Sequence, residues 1–285
     1  MMPQLIFVDE EKIPSYPYPK LKDVLTIFVD KQKQALGENL LGVYLVGSLA
    51  SGDFDLDSDI DFLCVIKDEL EETDIKALPK IQKNIQEINC YPAKHLEGSY
   101  ITERDLTDWN VVGKKLYYFD NGSTSIEQST HDNKWHVRWI LREGGITLIG
   151  QKPKTFLESI PIHELINEIR TTMVQGLKDF ETEIKGPLSF SNSRFGQSFY
   201  VLTYCRMLHT IYSGTVQSKK ISAEWAKQTI DTHWTKIIDQ AWEERKGVRF
   251  GKKIGQRANH KLLQETMMFM KYCVSQIDKH DCAES

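Results

Sequence analysis

What the 285-residue chain lacks narrows its class before any motif is considered. No apolar run approaches the ~18–20 residues that a membrane span requires, and the opening segment MMPQLIFVDEEKIP has no basic stretch followed by a long apolar one. The expected setting is therefore the cytoplasm, with no membrane partner. The five cysteines, Cys64, Cys90, Cys205, Cys273 and Cys282, are odd in number and show no CxxC spacing, so neither a disulfide framework nor a zinc site is suggested. They read as buried thiols. Positive charge is not in excess either: the net charge of −4 argues against a protein that binds nucleic acid by neutralising many phosphates. Internal repeats and low-complexity tracts are absent.

What is present is an ordinary globular composition, 40% hydrophobic and 27% charged, in a chain long enough for two domains with cores of their own. The charge is unevenly placed. Residues 1–150 hold 16 Lys/Arg against 25 Asp/Glu, a balance of −9, whereas residues 151–285 hold 20 against 15, a balance of +5.

The texture changes at about the same place. The first half alternates: a helical pattern over Leu21 to Leu36, the apolar run LLGVYLV (40–46), a Gly/Asp-rich turn, the run IDFLCVI (60–66), a polar helix over 74–88 and a strand-like HLEGSYIT (95–102). Residues 103–134 carry few signals, except that KLYYFDNGST (115–124) looks extended and enters a loop. From Trp135, WHVRWILREGG reads as a helix with a Gly end, and GQKPKTFLESIP (150–161) has linker composition. Beyond it, five stretches show apolar spacing of three and four. The expected architecture is an α/β domain over 1–158, with a mixed sheet and helices, followed by an all-α helical bundle over 159–285.

The sharpest feature is GSLASGDFDLDSDIDF (47–62), in which Gly47 and Ser48 close one apolar strand and Asp59-Ile60-Asp61 open the next. Carboxylates at i and i+2 on a strand point to one face, so Asp59 and Asp61 can reach one metal. Hard oxygen ligands without His or Cys favour magnesium, which commonly completes its shell with substrate phosphates and so implies a nucleoside triphosphate. Gly47 would let the backbone approach a phosphate, and Ser48 would add a hydroxyl donor. Calcium is the competitor, because Asp53, Asp55, Asp57, Asp59 and Asp61 alternate like loop ligands. An EF-hand counted from Asp53 would need Gly and Glu where Ser58 and Cys64 stand, and counted from Asp55 where Ile60 and Ile66 stand. A merely solvated acidic turn is the bland alternative.

These residues resemble the nucleotidyltransferase superfamily marked by GS, ten residues, then DxD. More closely, the chain resembles the bacterial aminoglycoside adenylyltransferases that act on streptomycin and spectinomycin, over most of its length from about residue 35 to residue 245. The resemblance implies an N-terminal nucleotidyltransferase domain, a helical C-terminal domain, Mg2+, and ATP as co-substrate. It implies a third carboxylate in an LE-x-x-apolar pattern, which HLEGSYIT supplies as Glu97, a third metal ligand beside Asp59 and Asp61 and the base for the acceptor hydroxyl. Glu87 is a rival by composition, in a helical polar context that suits a solvated residue.

VLTYCRMLHTIYSG (201–214) is similar to the family's V-L-T-x-x-R helix, and VQSKKISAEW (216–225) to its K-x-x-A-x-x-W segment. The cations that grip triphosphate there would correspond to Arg206 and Lys219, with Lys220 as the alternative contact, which suits the basic balance of the second half. Around the LREHGI-like helix end, Trp139, Ile140 and Leu141 read as interdomain packing and Arg138 and Arg142 as polar contacts without an assigned partner. The family's acidic residues before the V-L-T helix are missing, since Gly196 and Gln197 stand there. Asp179, Glu181 and Glu183, with Phe180 as a surface for a sugar, could take their place on the preceding helix. The basic run RKGVRFGKK (245–253) reads as a solvated loop.

The function implied is AMP transfer from ATP to a hydroxyl of an aminoglycoside or aminocyclitol; the oligomeric state stays open, with a monomer favoured. The alternatives are a nucleotidyltransferase acting on another small molecule, a protein or an RNA end, and a non-catalytic nucleotide-binding regulator.

Overall fold

The computed structural model describes residues 7–186, 189–246 and 256–284, with side chains through 277. From residue 247 the basic run at 245–253 lies outside the described residues, as does the Cys282 side chain. The chain divides into two compact units, Met1–Ile160 and Pro161–Ser285.

The first unit contains β1 (Leu40–Leu45), β2 (Ile60–Ile66), β3 (Leu96–Thr102), β4 (Leu116–Phe119), β5 (Ile126–Ser129) and β6 (Ile146–Ile149). Its helices are α1 (Leu21–Leu36), α2 (Gly47–Ala50), α3 (Glu72–Gln86), α4 (Glu103–Thr107) and α5 (Trp135–Gly144). The six strands form one sheet in the order β5-β4-β3-β2-β1-β6. Only β2 and β3 run parallel, and α3 supplies the crossover such a pair requires. The sheet is mixed because every other pairing is antiparallel.

Central strands covered on both faces read as almost continuous apolar runs, which is why IDFLCVI stands out in the sequence and buries every residue after Asp61. On one face, Val43, Leu45, Ile60, Phe62, Cys64 and Tyr100 pack with Val24, Leu25 and Phe28 of α1 and Leu78 and Ile85 of α3. On the other, Tyr44, Val46, Leu63, Val65, Ile101 and Leu116 pack with Leu106 of α4 and Leu141 of α5. Period two thus assigns Asp61, Glu97 and Tyr118 to this second face, beyond the end of its apolar cluster.

The sheet is larger than the apolar runs indicate. β4 and β5 lie in the segment with few signals, and β6 is four residues directly after a helix end. Ile146 and Leu148 are buried, and the outer edge of β6 is covered by Val8 and Asp9, whose N–H groups donate to the carbonyls of Leu148 and Thr147. The Asp9 carboxylate accepts from Thr147 N at 3.0 Å. Where a Gly/Asp-rich turn is expected after β1, the first four residues instead form the helical turn α2.

Leu141, together with the partly buried Ile140, joins the apolar cluster of the first unit. Arg138 is a buried pin, 1% exposed, donating to Asn133 Oδ1, to Leu106 O at 3.2 Å and to Asp105 O at 2.8 Å. Arg142 donates to Leu157 O at 2.9 Å and pairs with Glu143.

The second unit is helical: α6 (Ile162–Glu183), α7 (Arg194–Ser213), α8 (Lys219–Thr229), α9 (Thr235–Arg245) and α10 (His260–Glu284). α7 packs against the other four and is buried on most of its circumference, as expected of a helix without a polar face. Cys64, Cys90, Cys205 and Cys273 are buried thiols. Among the described residues no helix is long and apolar enough to cross a membrane.

Candidate active site

The site forms where β1 ends and β2 begins. Val46 N donates to Asp61 O at 3.0 Å, which pins the two strand ends together. The chain then turns at Gly47, with φ +58°, a conformation that a side chain disfavours. A Cβ on residue 47 would overlap the Asp61 carboxylate, so Gly47 leaves room for it. Ser48 follows in α2, and its buried Oγ meets no hydrogen-bond partner among the described residues.

The five alternating aspartates are not equivalent. Asp55 Oδ1 accepts from Asp57 N at 3.0 Å and from Ser58 Oγ at 2.9 Å, so Asp55 and Ser58 fold the loop that delivers Asp59. Asp59 directly precedes β2, and Asp61 is its second residue. In the parallel pairing of β2 with β3, Asp61 stands opposite Glu97, which brings their carboxylates to one face of the sheet. Glu87, the compositional rival, is exposed at the C-terminal end of α3.

The Glu97 side chain is 15% exposed, with Asp61 across from it on β2. Tyr118 on β4 donates its hydroxyl to Glu97 Oε1 at 2.6 Å, and His131 Nδ1 lies 3.5 Å from the same oxygen. Burial pushes the Glu97 carboxyl up to about 7; the Tyr118 hydrogen bond opposes this, the Asp61 charge adds to it, and His131 opposes it. His131 Nδ1 also lies 3.1 Å from Asp132 Oδ1, a contact that raises the imidazole above its ordinary value. Asp132 Oδ2 in turn accepts from Ser99 Oγ at 2.7 Å.

Tyr118, His131 and Asp132 are absent from the sequence reading. The LYYF run shows strand character, but nothing in it indicates pairing with β3 at Ser99 opposite Tyr118. His131-Asp132 is an isolated polar pair in a stretch without periodicity.

The structure therefore brings Gly47, Ser48, Asp59, Asp61 and Glu97 together in the first unit. Arg206 and Lys219 belong to the second. Arg206 is half-buried on α7, and Lys219 opens α8, its Nζ 5.0 Å from the centroid of the Phe199 ring. Ser218 caps that helix, its Oγ accepting from Ile221 N at 3.1 Å. Lys220 is exposed.

On α6, Phe180 does not offer the surface expected of it. Phe180 is 0% exposed and packs edge-on against Tyr200 at 4.9 Å. Asp179 accepts from Gln175 at 2.8 Å, Glu181 pairs with Lys271 at 2.7 Å and Glu183 accepts from Ser191 Oγ. At the start of α7, a Cβ on Gly196 would overlap the Phe190 carbonyl, and Gln197 is buried with Nε2 donating to Ser191 O. Packing leaves no space for a side chain at Gly196, and an acidic residue at 197 would have no N–H to give the Ser191 carbonyl.

The fit for a metal can be tested on this geometry. Among the described residues no three or more His, Cys, Asp and Glu side chains are arranged to hold an ion by themselves. Magnesium does not require such a cage, since it is commonly held by one or two carboxylates together with water and substrate phosphate. Asp59 and Asp61 supply the hard oxygens, the Ser48 hydroxyl is buried without a partner and Gly47 keeps a side chain out of the cradle. The residues fit the ion.

Residues 22–108 match the family model of the nucleotidyltransferase domain, and residues 155–272 that of the aminoglycoside adenylyltransferase C-terminal domain. Spectinomycin 9-adenylyltransferase of Staphylococcus aureus is 25% identical over 252 residues, 84% of this chain and 86% of the relative. Aminoglycoside (3'') (9) adenylyltransferase of Escherichia coli is 22% identical over 218 residues, 72% and 78% of the two chains. A crystal structure of spectinomycin adenyltransferase from Enterococcus faecialis with ATP and spectinomycin superposes with a TM-score of 0.64 at 16% identity, covering 90% of this chain and 99% of that one. At that identity the likeness carries the fold, an α/β unit with a mixed sheet followed by a helical one. With one matched domain of each kind in this order, the chain has the domain organisation of the aminoglycoside adenylyltransferases and is similar to them over most of its length.

Proposed function

We propose that this protein moves the adenylyl group of ATP to a hydroxyl of a spectinomycin- or streptomycin-type aminocyclitol, with magnesium bound and pyrophosphate released. The observation that carries the reading is the register of β2 on β3, which sets Asp61 opposite Glu97 beside the Gly47 turn. Asp59 and Asp61 would hold magnesium, which when bound supplies charge neutralisation for the triphosphate and the departing pyrophosphate.

The remaining work falls to side chains of the chain itself. Ser48 offers its hydroxyl and Gly47 its unobstructed backbone to phosphate. Glu97 takes the proton of the acceptor hydroxyl as that oxygen bonds to the α-phosphorus and the bond to pyrophosphate breaks. Mostly buried and on the same sheet face as Asp61, the Glu97 carboxylate is placed for this task. The −9 balance of residues 1–150 favours a polycationic acceptor over an anionic one. Arg206 and Lys219 carry the triphosphate contacts that the resemblance implies.

Incubating the protein with ATP, magnesium and a panel of aminocyclitols, and weighing the products by mass spectrometry, tests the reading. The expected result is one acceptor heavier by AMP less water, with pyrophosphate released in equal amount. A panel returned unmodified, with ATP intact, would refute it.

A further inference from the structure

We propose that Tyr118 is a positioning residue for Glu97: by donating its hydroxyl proton to Glu97 Oε1, it fixes the carboxylate so that Oε2 is the oxygen offered to the acceptor hydroxyl. The proposal rests on the assignment of Glu97 as the base.

The need for such a residue follows from the sheet. β3 fixes the Glu97 backbone, but the side chain keeps three rotatable bonds, and a base has to be held near its productive geometry to act. Its neighbour across the parallel pair makes this harder. Asp61 stands directly opposite Glu97, and like charges on adjacent strands repel. Repulsion alone turns the carboxylate away from β2 without selecting a single rotamer.

The strand order places the remedy on the other side, because β4 flanks β3 opposite β2. Tyr118 is buried at 4% exposure on β4, on the same face as Glu97 and paired across from Ser99. Its hydroxyl lies 2.6 Å from Glu97 Oε1 and 3.2 Å from Asp120 Oδ1. A phenol has one proton, and the shorter contact takes it. His131 Nδ1, 3.5 Å away, approaches the same Oε1, and its ring lies 5.3 Å from that of Tyr118. His131 is itself held by Asp132 at 3.1 Å, and Asp132 by Ser99 at 2.7 Å. Every described polar contact to the carboxylate thus converges on one oxygen. Among the described residues no hydrogen bond goes to Oε2.

Tyr118→Phe tests the proposal, since it deletes the hydroxyl and leaves the ring to fill the same space. Turnover is expected to fall by about 10- to 100-fold, the cost of a misplaced catalytic group, with KM for ATP and for the acceptor within about twofold of wild type. In a Glu97→Gln background the same change should cost nothing further, because there is no base left to position. Loss of packing alone would instead move the melting temperature and KM. Tyr118→Met, which also lacks a donor, carries the same expectation should the Phe variant not fold.

Crystal structures supply a readout that does not depend on activity. Wild type should show one Glu97 rotamer on Tyr118, and the Phe variant a shifted or divided one. An unchanged kcat in Tyr118→Phe, or an unchanged single Glu97 rotamer in its crystals, would overturn the proposal. A wild-type protein that transfers no AMP would count against the function proposed above, and the crystallographic comparison would still decide the role of Tyr118.

Discussion

At the scale of single residues, the site combines groups kept for chemistry with groups kept for space, and substitution separates the two. In the proposed reaction Asp59→Asn and Asp61→Asn each remove a charge that magnesium would need and no packing atom, so both variants should fold as wild type, by melting temperature, and show no measurable turnover. Glu97→Gln keeps the shape but cannot take a proton. Turnover should drop ~10²–10⁴-fold with ATP affinity nearly unchanged, and a large loss of ATP binding instead would make Glu97 chiefly a metal ligand. Gly47→Ala tests space. The added Cβ would overlap the Asp61 carboxylate at a φ of +58°, so the change should cost about 1–3 kcal/mol by denaturant titration and displace Asp61, with activity falling further than stability.

At the scale of elements, the chain declares what it buries and conceals what it pairs. The runs LLGVYLV and IDFLCVI are legible as central strands because both faces of that part of the sheet are covered, and α1 shows its buried face at three- and four-residue spacing. β4, β5 and β6 are four residues each and lie toward the sheet edges, where short segments carry no period long enough to count. The same reason divides the candidate site. Gly47, Ser48, Asp59, Asp61 and Glu97 lie in or beside legible strands and could be placed by motif. Tyr118 and His131 reach Glu97 through an antiparallel pairing that no local pattern encodes. α5 shows the opposite error: WHVRWILREGG is legible as a helix, but the partners of its residues are not. Arg138 is pinned inside the first unit by Asn133, Leu106 and Asp105, so Arg138→Ala would leave three acceptors without their donor and should destabilise the protein by about 2–5 kcal/mol in chemical denaturation. A change under 1 kcal/mol would mean that water replaces the guanidinium at small cost.

At the scale of the whole molecule, the two halves differ in charge as in fold, with −9 in residues 1–150 and +5 in residues 151–285. An acidic first half favours a cationic acceptor, and the cations of the second half suit a triphosphate. Arg206→Ala and Lys219→Ala should each weaken ATP binding by about 1–3 kcal/mol, measured calorimetrically, with acceptor affinity at saturating ATP changing less. The same balance predicts that raising ionic strength slows capture of the antibiotic. The central claim, that the Asp59, Asp61 and Glu97 face of the sheet transfers AMP to an aminocyclitol, is tested most directly by single-turnover reaction with ATP labelled at the α-phosphorus. Wild type should place the label on the acceptor while folded Asp61→Asn leaves it on ATP; label remaining on ATP with wild type, or transferred equally well by Asp61→Asn, would contradict the claim.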